Sequence, residues 1–450
     1  MKNYLDLNDS IIALATADGL ASIAVIRISG ENLKRFYKKI SNKKKLPKKN
    51  SINFNKIYSP LTKEHLDDGL IAYFETPNSF TGESVIEINC HGGNYVASKI
   101  IEHCVNSGLV RHALPGEFSF RAFYNGKIDL IQAESINDLI SSESNIYAEK
   151  SLNNINGELS KKIENIRSKT ISIMMLIEHE LDFNENEIDF TKNKTILENL
   201  NFILSEIQKI ESSFIHSKII RNGIRILLLG KPNVGKSSLF NYLVGEKRAI
   251  VSNISGTTRD SIETVFEIDG YRASLIDSAG VIKSKDVLER VAVKKTEEEI
   301  SLAHIIIVLA ESPKELNNYD HLIKDKKSIK VLSKSDIIDY KNTSKKKLKI
   351  SSKTGKNIDC LLTELSTEIK NIVGTNNKNI ESLINKRHYA LLVESKQHIL
   401  RAISELKNNS THDILAEILH EFLGVFNNIS SPTSRNDIIN NIFSNFCVGK

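Results

Sequence analysis

A chain of 450 residues has room for about three domains, and its 40% apolar content supports ordinary cores and excludes global disorder. Lys and Arg number 61 against 55 Asp and Glu, giving a net charge of +6 and a pI near 8.8, which permits a polyanionic partner without demanding one. No run of 18 apolar residues occurs, so no membrane-spanning helix is predicted.

The first residues, MKNYLDLNDS, carry acids early and lack a basic stretch before an apolar core, so neither a signal nor a transit peptide is predicted. Short β-type runs follow at Ile11–Ala15, Ala21–Ile28, Gly69–Phe74 and Ser84–Asn89, with helical spacing over Tyr95–Val105. They predict a compact α+β unit ending near Pro115-Gly116. Residues 43–49 and 345–349 are lysine runs that hold much of the positive surplus, and a solvated loop face is a plainer account of each than a nucleic-acid groove. From about Arg121 to Ser217 apolar residues recur three and four apart, as in Leu130, Ala133, Ile136, Leu139 and Ile140, then Leu152, Ile155, Leu159, Ile163 and Ile166. Long amphipathic helices are predicted there and again after about Asn379. Between them, strand runs at Ile224–Leu229, Ala273–Ile276, Ile305–Leu309 and Lys330–Leu332 alternate with helix-length segments, which predicts a parallel sheet. The fold class is therefore multidomain α+β and α/β, with an α/β domain inserted into a helical one. The four cysteines, Cys90, Cys104, Cys360 and Cys447, lack metal-ligand spacing and fit a reducing cytoplasm without disulfides.

The strongest chemical signal is the run Gly230 to Ser238, GKPNVGKSS, between a buried-strand pattern and a helical one. Its glycines let backbone N–H groups turn toward anionic oxygens, Lys236 neutralises β- and γ-phosphates, and Ser237 can ligate Mg²⁺. Asn233, Val234, Gly235 and Ser238 complete the loop. Further along, Asp277-Ser278-Ala279-Gly280 closes a strand where a carboxylate can hold Mg²⁺ through water and an N–H can reach the γ-phosphate. Between them, Ser252, Asn253, Ile254, Ser255, Gly256, Thr257 and Thr258 form a loop of small residues suited to a switch, with Thr258 as a second Mg²⁺ ligand. In Ser333-Lys334-Ser335-Asp336 the carboxylate of Asp336 can accept both N–H groups of a guanine edge, and Ser351-Ser352-Lys353 fits the last base-contacting loop. The order describes a guanine-nucleotide switch. Where Ras-like proteins carry a water-orienting Gln, this chain has Val281, so hydrolysis is either slow or relies on another residue.

The whole chain resembles the tRNA-modification GTPase MnmE (TrmE) family. The resemblance rests on Arg27–Gly30, Ser79–Glu83, His91–Gly93, Pro115–Phe118, Asn233, Gly256–Asp260 and the terminal Phe446-Cys447-Val448-Gly449-Lys450. It implies a folate-binding and dimerisation domain over 1–119, a helical domain over 120–216 and 379–450, and a Ras-like P-loop GTPase domain over 217–378. It also implies a K⁺-stimulated GTPase acting as a homodimer and, in a heterotetramer with the FAD-dependent MnmG (GidA), on tRNA. The product would carry an aminomethyl or carboxymethylaminomethyl group at C5 of wobble uridine 34, its carbon coming from 5-formyl- or 5,10-methylene-tetrahydrofolate.

Carried onto this chain, the resemblance puts K⁺ at Asn233, Ser252, Ile254 and Thr257 and makes Glu289 the water-positioning carboxylate. Folate falls to Arg27, Glu87, Lys127 and Lys450, a cationic pair suiting the glutamate tail and Glu87 suiting a pterin edge. Cys447 becomes a candidate nucleophile, with a small buried hydrophobe as its bland alternative. The chain departs from the family in having Ser333 for the usual Asn, Ser278 for Thr and Ile282 for Arg. A rival reading is a GTPase switch in ribosome or RNA assembly, which would not need the first 120 residues or the C-terminal Cys-x-Gly-Lys. A membrane-associated GTPase finds no lipidation motif or basic amphipathic anchor.

Overall fold

The computed structural model describes residues 9–31, 33–49, 51–93, 95–181, 193–246, 263–277, 289–324, 326–340, 347–374, 382–431, 442–444 and 446–449. They fall into two compact units, one of Met1–Asn137, Asn154–Leu200 and Gln397–Lys450, the other of Asp138–Asn153 and Asn201–Lys396. Residues 138–153, inside the first expected helical segment, thus group with the nucleotide-binding half.

The first unit holds a six-stranded sheet: β1 (Ile11–Leu14), β2 (Ile23–Gly30), β3 (Ser51–Tyr58), β4 (His65–Phe74), β5 (Ser84–His91) and β6 (Arg111–His112), in the order β3-β4-β5-β2-β1-β6. All pairings are antiparallel except β1 with β6. Side chains alternate along β2, so Ala24, Ile26 and Ile28 enter a core with Ile86 and Ile88, while Arg27 and Ser29 point to the other face. Two helices cover that core, α1 (Leu33–Ser41) through Phe36 and Ile40 and α2 (Val96–Asn106) through Ala97 and Ile100. Each fully buried Ile or Phe removed from water contributes roughly 1.5–3 kcal/mol. α3 (Glu117–Tyr124) begins at the Pro115-Gly116 turn. The helices Glu158–Leu181 and His412–Phe426 pack together, so the two helical stretches of the sequence do meet.

The apolar run Leu152–Ile166 is not one helix. A helix over Asn145–Ile155 ends at Gly157, whose φ of +86° favours glycine, and the next starts at Glu158. Leu152 is consequently exposed, and Tyr147, Ser151 and Asn154 form the buried stripe.

In the second unit β7 (Ile224–Gly230), β8 (Glu263–Ile268), β9 (Tyr271–Asp277), β10 (Ile305–Ala310), β11 (Lys327–Leu332) and β12 (Leu348–Lys349) order as β12-β11-β10-β7-β9-β8. All run parallel except β8, an antiparallel edge strand. Every residue of β10 is buried, as the continuous apolar run of a central parallel strand requires. Ile226 and Leu228 enter one core with Leu361 and Leu365, and Leu227 and Leu229 enter the opposite one with Ile300 and Leu316. The carboxyl ends of β7, β9 and β11 therefore open at one edge, where ligands bind in such sheets. Among the described residues no helix is long and apolar enough to cross a membrane.

Candidate functional site

The nucleotide site forms at those carboxyl ends. A Cβ on Gly230 would lie 2.5 Å from the Leu309 carbonyl oxygen, so the close approach of β7 to β10 requires glycine. Asn233 (φ +63°) and Gly235 (φ +101°) take left-handed backbone, which bends the loop back on itself before the helix Lys236–Glu246 begins. Lys236 is buried, and its ammonium reaches across the loop to the carbonyls of Gly230 and Lys231, each 2.8 Å away. Burial lowers its pKa against the opposing pull of Asp277. The Ser237 hydroxyl donates to Asp277 at 3.0 Å, so the two oxygens expected near Mg²⁺ do lie together. Both are hard oxygen donors of the kind that cation prefers.

The base-reading loops also converge. Ser335 N–H donates to the Ile350 carbonyl at 2.9 Å, tying the loop after β11 to the one after β12. The Ser351 hydroxyl hydrogen-bonds to exposed Asp336 and, with Lys353 and Lys334 nearby, holds its carboxyl below the usual carboxylate range. Ser333 is buried and bonds the Ala310 carbonyl through its N–H at 3.0 Å, while the Tyr340 hydroxyl donates to the Ser333 carbonyl at 2.7 Å. Tyr340 is thus a brace for this loop that no motif had marked. Ser252–Thr258, Ser278–Gly280 and Lys450 lie outside the described residues. Glu289 begins the helix Glu289–Leu302, but its side chain is outside the description too.

In the first unit Arg27 and Glu87 face each other across β2 and β5 and pair at 2.8 Å. The Arg27 guanidinium also stands 5.9 Å from the Phe118 ring centroid and donates to the Gly449 carbonyl at 3.4 Å. The C-terminal segment therefore lies over the strand that carries Arg27. Two glycines permit this. Gly116 (φ +66°) donates its N–H to the Cys447 carbonyl at 3.2 Å, and a Cβ there would meet the Phe443 carbonyl at 2.6 Å. On Gly449 (φ +98°) a Cβ would lie 2.1 Å from the Leu14 carbonyl oxygen. Phe443 and Phe446 anchor the segment against Phe120, Leu130 and Ala133. Cys447 is exposed and lines a cavity of about 560 Å³ with Ala13, Glu102, His112 and Val448. Lys127 is exposed, its stem close to Gly82.

A charged network beneath this site escaped the sequence reading. Arg121 is fully buried and donates to Glu83 at 3.0 Å, to Glu117 at 2.9 Å and to the Asp9 carbonyl at 2.9 Å. Arg111 grips Glu117 at 2.7 and 2.8 Å, and Ser29 donates to Glu83 at 2.7 Å. Burial pushes the Glu117 carboxyl up, but Arg111, the Leu114 N–H and Arg121 together hold it below its ordinary range. The network fixes the start of α3, hence Phe118 under Arg27 and Gly116 against Cys447. Cys90 and Cys104 are buried with thiols pushed up to about 11 and about 12, and all four cysteines are free. Among the described residues no group of three or more His, Cys, Asp or Glu is placed to hold a metal ion.

Residues 10–127 match the family model described as GTP-binding protein TrmE N-terminus, and residues 130–447 match the MnmE helical domain. The chain is similar to proteins named tRNA modification GTPase MnmE in three organisms. The one from Flavobacterium johnsoniae is 37% identical, covering 98% of this chain and 99% of the relative. The relative from Acetivibrio thermocellus is 35% identical with the same coverage, and that from Aquifex aeolicus is 33% identical over 99% and 100%.

Proposed function

The chain belongs to the MnmE (TrmE) family of tRNA modification GTPases, and from that premise we propose that it is a K⁺-stimulated GTP hydrolase that modifies wobble uridine 34. With an FAD-dependent partner, MnmG (GidA), it adds an aminomethyl or carboxymethylaminomethyl group to C5, drawing the carbon from a one-carbon tetrahydrofolate. It works in the cytoplasm as a homodimer and, with that partner, as a heterotetramer on tRNA.

The observation that carries this reading beyond a GTPase switch is the docking of the C-terminal segment onto Arg27, which itself pairs with Glu87. A switch acting only in assembly has no use for that construction. The 2.8 Å pairing also refines the folate roles. An extended folate separates its pterin from its tail carboxylates by far more than a hydrogen bond. Arg27 and Glu87 therefore serve one end of the ligand, which we take to be the pterin, where Glu87 accepts N–H groups and Arg27 holds its carboxylate in place. Tail recognition passes to Lys127 and Lys450.

In the nucleotide site the loop N–H groups and Lys236 bind the β- and γ-phosphates, and Asp336 reads guanine. Ser237 and Asp277, with Thr258, would hold Mg²⁺, which when bound neutralises charge developing on the phosphate oxygens. The Asn233 amide oxygen, with Ser252, Ile254 and Thr257, would hold K⁺ in the place of an arginine finger. Glu289 orients the attacking water that Val281 cannot. GTP turnover should then be faster in K⁺ than in Na⁺, and Glu289→Ala should keep GTP binding yet slow turnover by ~10²–10⁴-fold. Equal rates in the two salts, with Glu289→Ala unaffected, would contradict the hydrolytic part of the reading.

A further inference from the structure

Between Lys34 and Lys63 the chain places eleven of its 61 Lys and Arg and none of its 55 Asp and Glu. At the average of the chain such a segment would hold about four acids, and outside it acids outnumber bases. The protein is therefore only mildly basic as a whole because one region is strongly so.

The fold gathers nine of these cations on α1 and the loop that follows it. α1 buries Leu33, Phe36, Tyr37 and Ile40, leaving Lys34, Arg35, Lys38 and Lys39 exposed on its opposite side. Lys43, Lys44, Lys45, Lys48 and Lys49 continue the exposed run toward β3, the edge strand of the sheet. Of the nine, only Lys49, with Glu75, has a carboxylate partner among the described residues. Lys34 with Lys38, and Arg35 with Lys39, stand four apart on the helix, a spacing at which like charges destabilise it. Packing on the sheet comes entirely from the other side of α1, so the fold gains nothing from this charge. Lysines can also discourage edge-to-edge pairing, but that role places them on the strand, and β3 itself carries only Lys56.

The chemistry narrows the partner. A helix that binds a membrane surface needs a free apolar side to bury, and that of α1 is already in the core. Eight of the nine are lysines, point charges on flexible stems that are poorly suited to bidentate recognition of carboxylates or base edges. They suit many loosely constrained phosphates. We propose that α1 and the 43–49 loop form the surface on which the phosphate backbone of the substrate RNA docks. This rests on the reading of tRNA as substrate given above, and it reverses the plainer account of residues 43–49 as a merely solvated loop.

The test measures binding of an in vitro transcribed tRNA to the full-length protein across a KCl series. The variant K34Q/K38Q/K43Q/K44Q/K45Q should lower the magnitude of the log K against log salt slope by about 2–4, because each phosphate contact contributes ~0.7–0.9. Its affinity at moderate salt should fall by roughly tenfold or more, with GTP turnover unchanged. The same five positions as Arg should restore the slope, and K161Q/K162Q/K169Q on the helix Glu158–Leu181 should leave it untouched. A wild-type slope in the five-Gln variant overturns the proposal. So does intact tRNA binding alongside lost binding to vesicles of phosphatidylglycerol, which would mark a membrane surface. If the wild-type protein shows no salt-dependent tRNA binding, this inference and the tRNA reading fall together.

Discussion

The two candidate sites are built on opposite plans. The proposed nucleotide loop is one contiguous stretch, Gly230 to Ser238, which offers backbone N–H groups and one lysine for binding. The site around Arg27 is assembled from both ends of the chain, with Arg27 and Gly449 in contact across 422 positions of sequence. The first depends on local backbone conformation, the second on tertiary docking. Damage to each should therefore spread differently. A change in the loop region should alter nucleotide handling and leave the first unit intact, and a change in the tail should do the reverse.

The largest effect should come from the base-reading carboxylate. Asp336→Asn replaces an acceptor of two N–H groups by an amide that accepts only one and donates elsewhere, so GTP affinity should fall by about 10²-fold while xanthosine triphosphate gains. Titration with both nucleotides checks this, and undiminished GTP affinity would show that Asp336 does not face the base. Folate affinity should stay at the wild-type value in this variant.

Breaking the tail should have a somewhat smaller and complementary effect. Gly449→Ala forces a Cβ against the Leu14 carbonyl at a left-handed backbone position, so the tail should lift from the strand. Arg27→Ala removes the ion pair with Glu87 directly. Either should weaken 5-formyl-tetrahydrofolate binding by roughly 10- to 100-fold, the scale of a lost charge-assisted hydrogen bond, with GTP affinity unchanged. Calorimetry giving wild-type folate affinity in both variants would remove the site from this position.

The smallest effect sharpens the comparison through pH. Glu117 has a folded-state pKa below its unfolded value, so its contribution to stability is complete above the unfolded value near 4.5 and is lost as pH falls through the lower, folded one. The first unit should lose stability below about pH 4.5, and Glu117→Gln should flatten that dependence while lowering stability at pH 7. Thermal unfolding of both proteins from pH 7 to pH 3.5 is the measurement. Parallel curves for the two proteins would show that Glu117 is not the titrating group.

What the sequence revealed follows the same division. The loop, the strand before it, and the placement of Asp277 and Asp336 at strand ends were readable because each motif needs particular residue types at short spacing. Most strands of both sheets were visible as apolar runs. The helix α1 was not, although Leu33, Phe36, Tyr37 and Ile40 have helical spacing, because a nine-residue element gives only a short periodic run. The edge strands β3 and β8 were missed because polar residues interrupt their apolar ones, so neither forms a continuous apolar run. Tyr340 and Arg121 could not be found at all. Arg121 meets Asp9 across 112 positions and Glu83 across 38, and nothing local in the sequence marks a buried arginine as partnered.

The proposed link between the folate-type site and wobble-uridine modification is testable in cells. Nucleoside mass spectrometry of tRNA from cells lacking the gene tests it most directly. The expected result is loss of 5-aminomethyl-type and 5-carboxymethylaminomethyl-type uridines, restored by the wild-type gene and not by Arg27→Ala. A wobble-uridine profile unchanged by the deletion would contradict it.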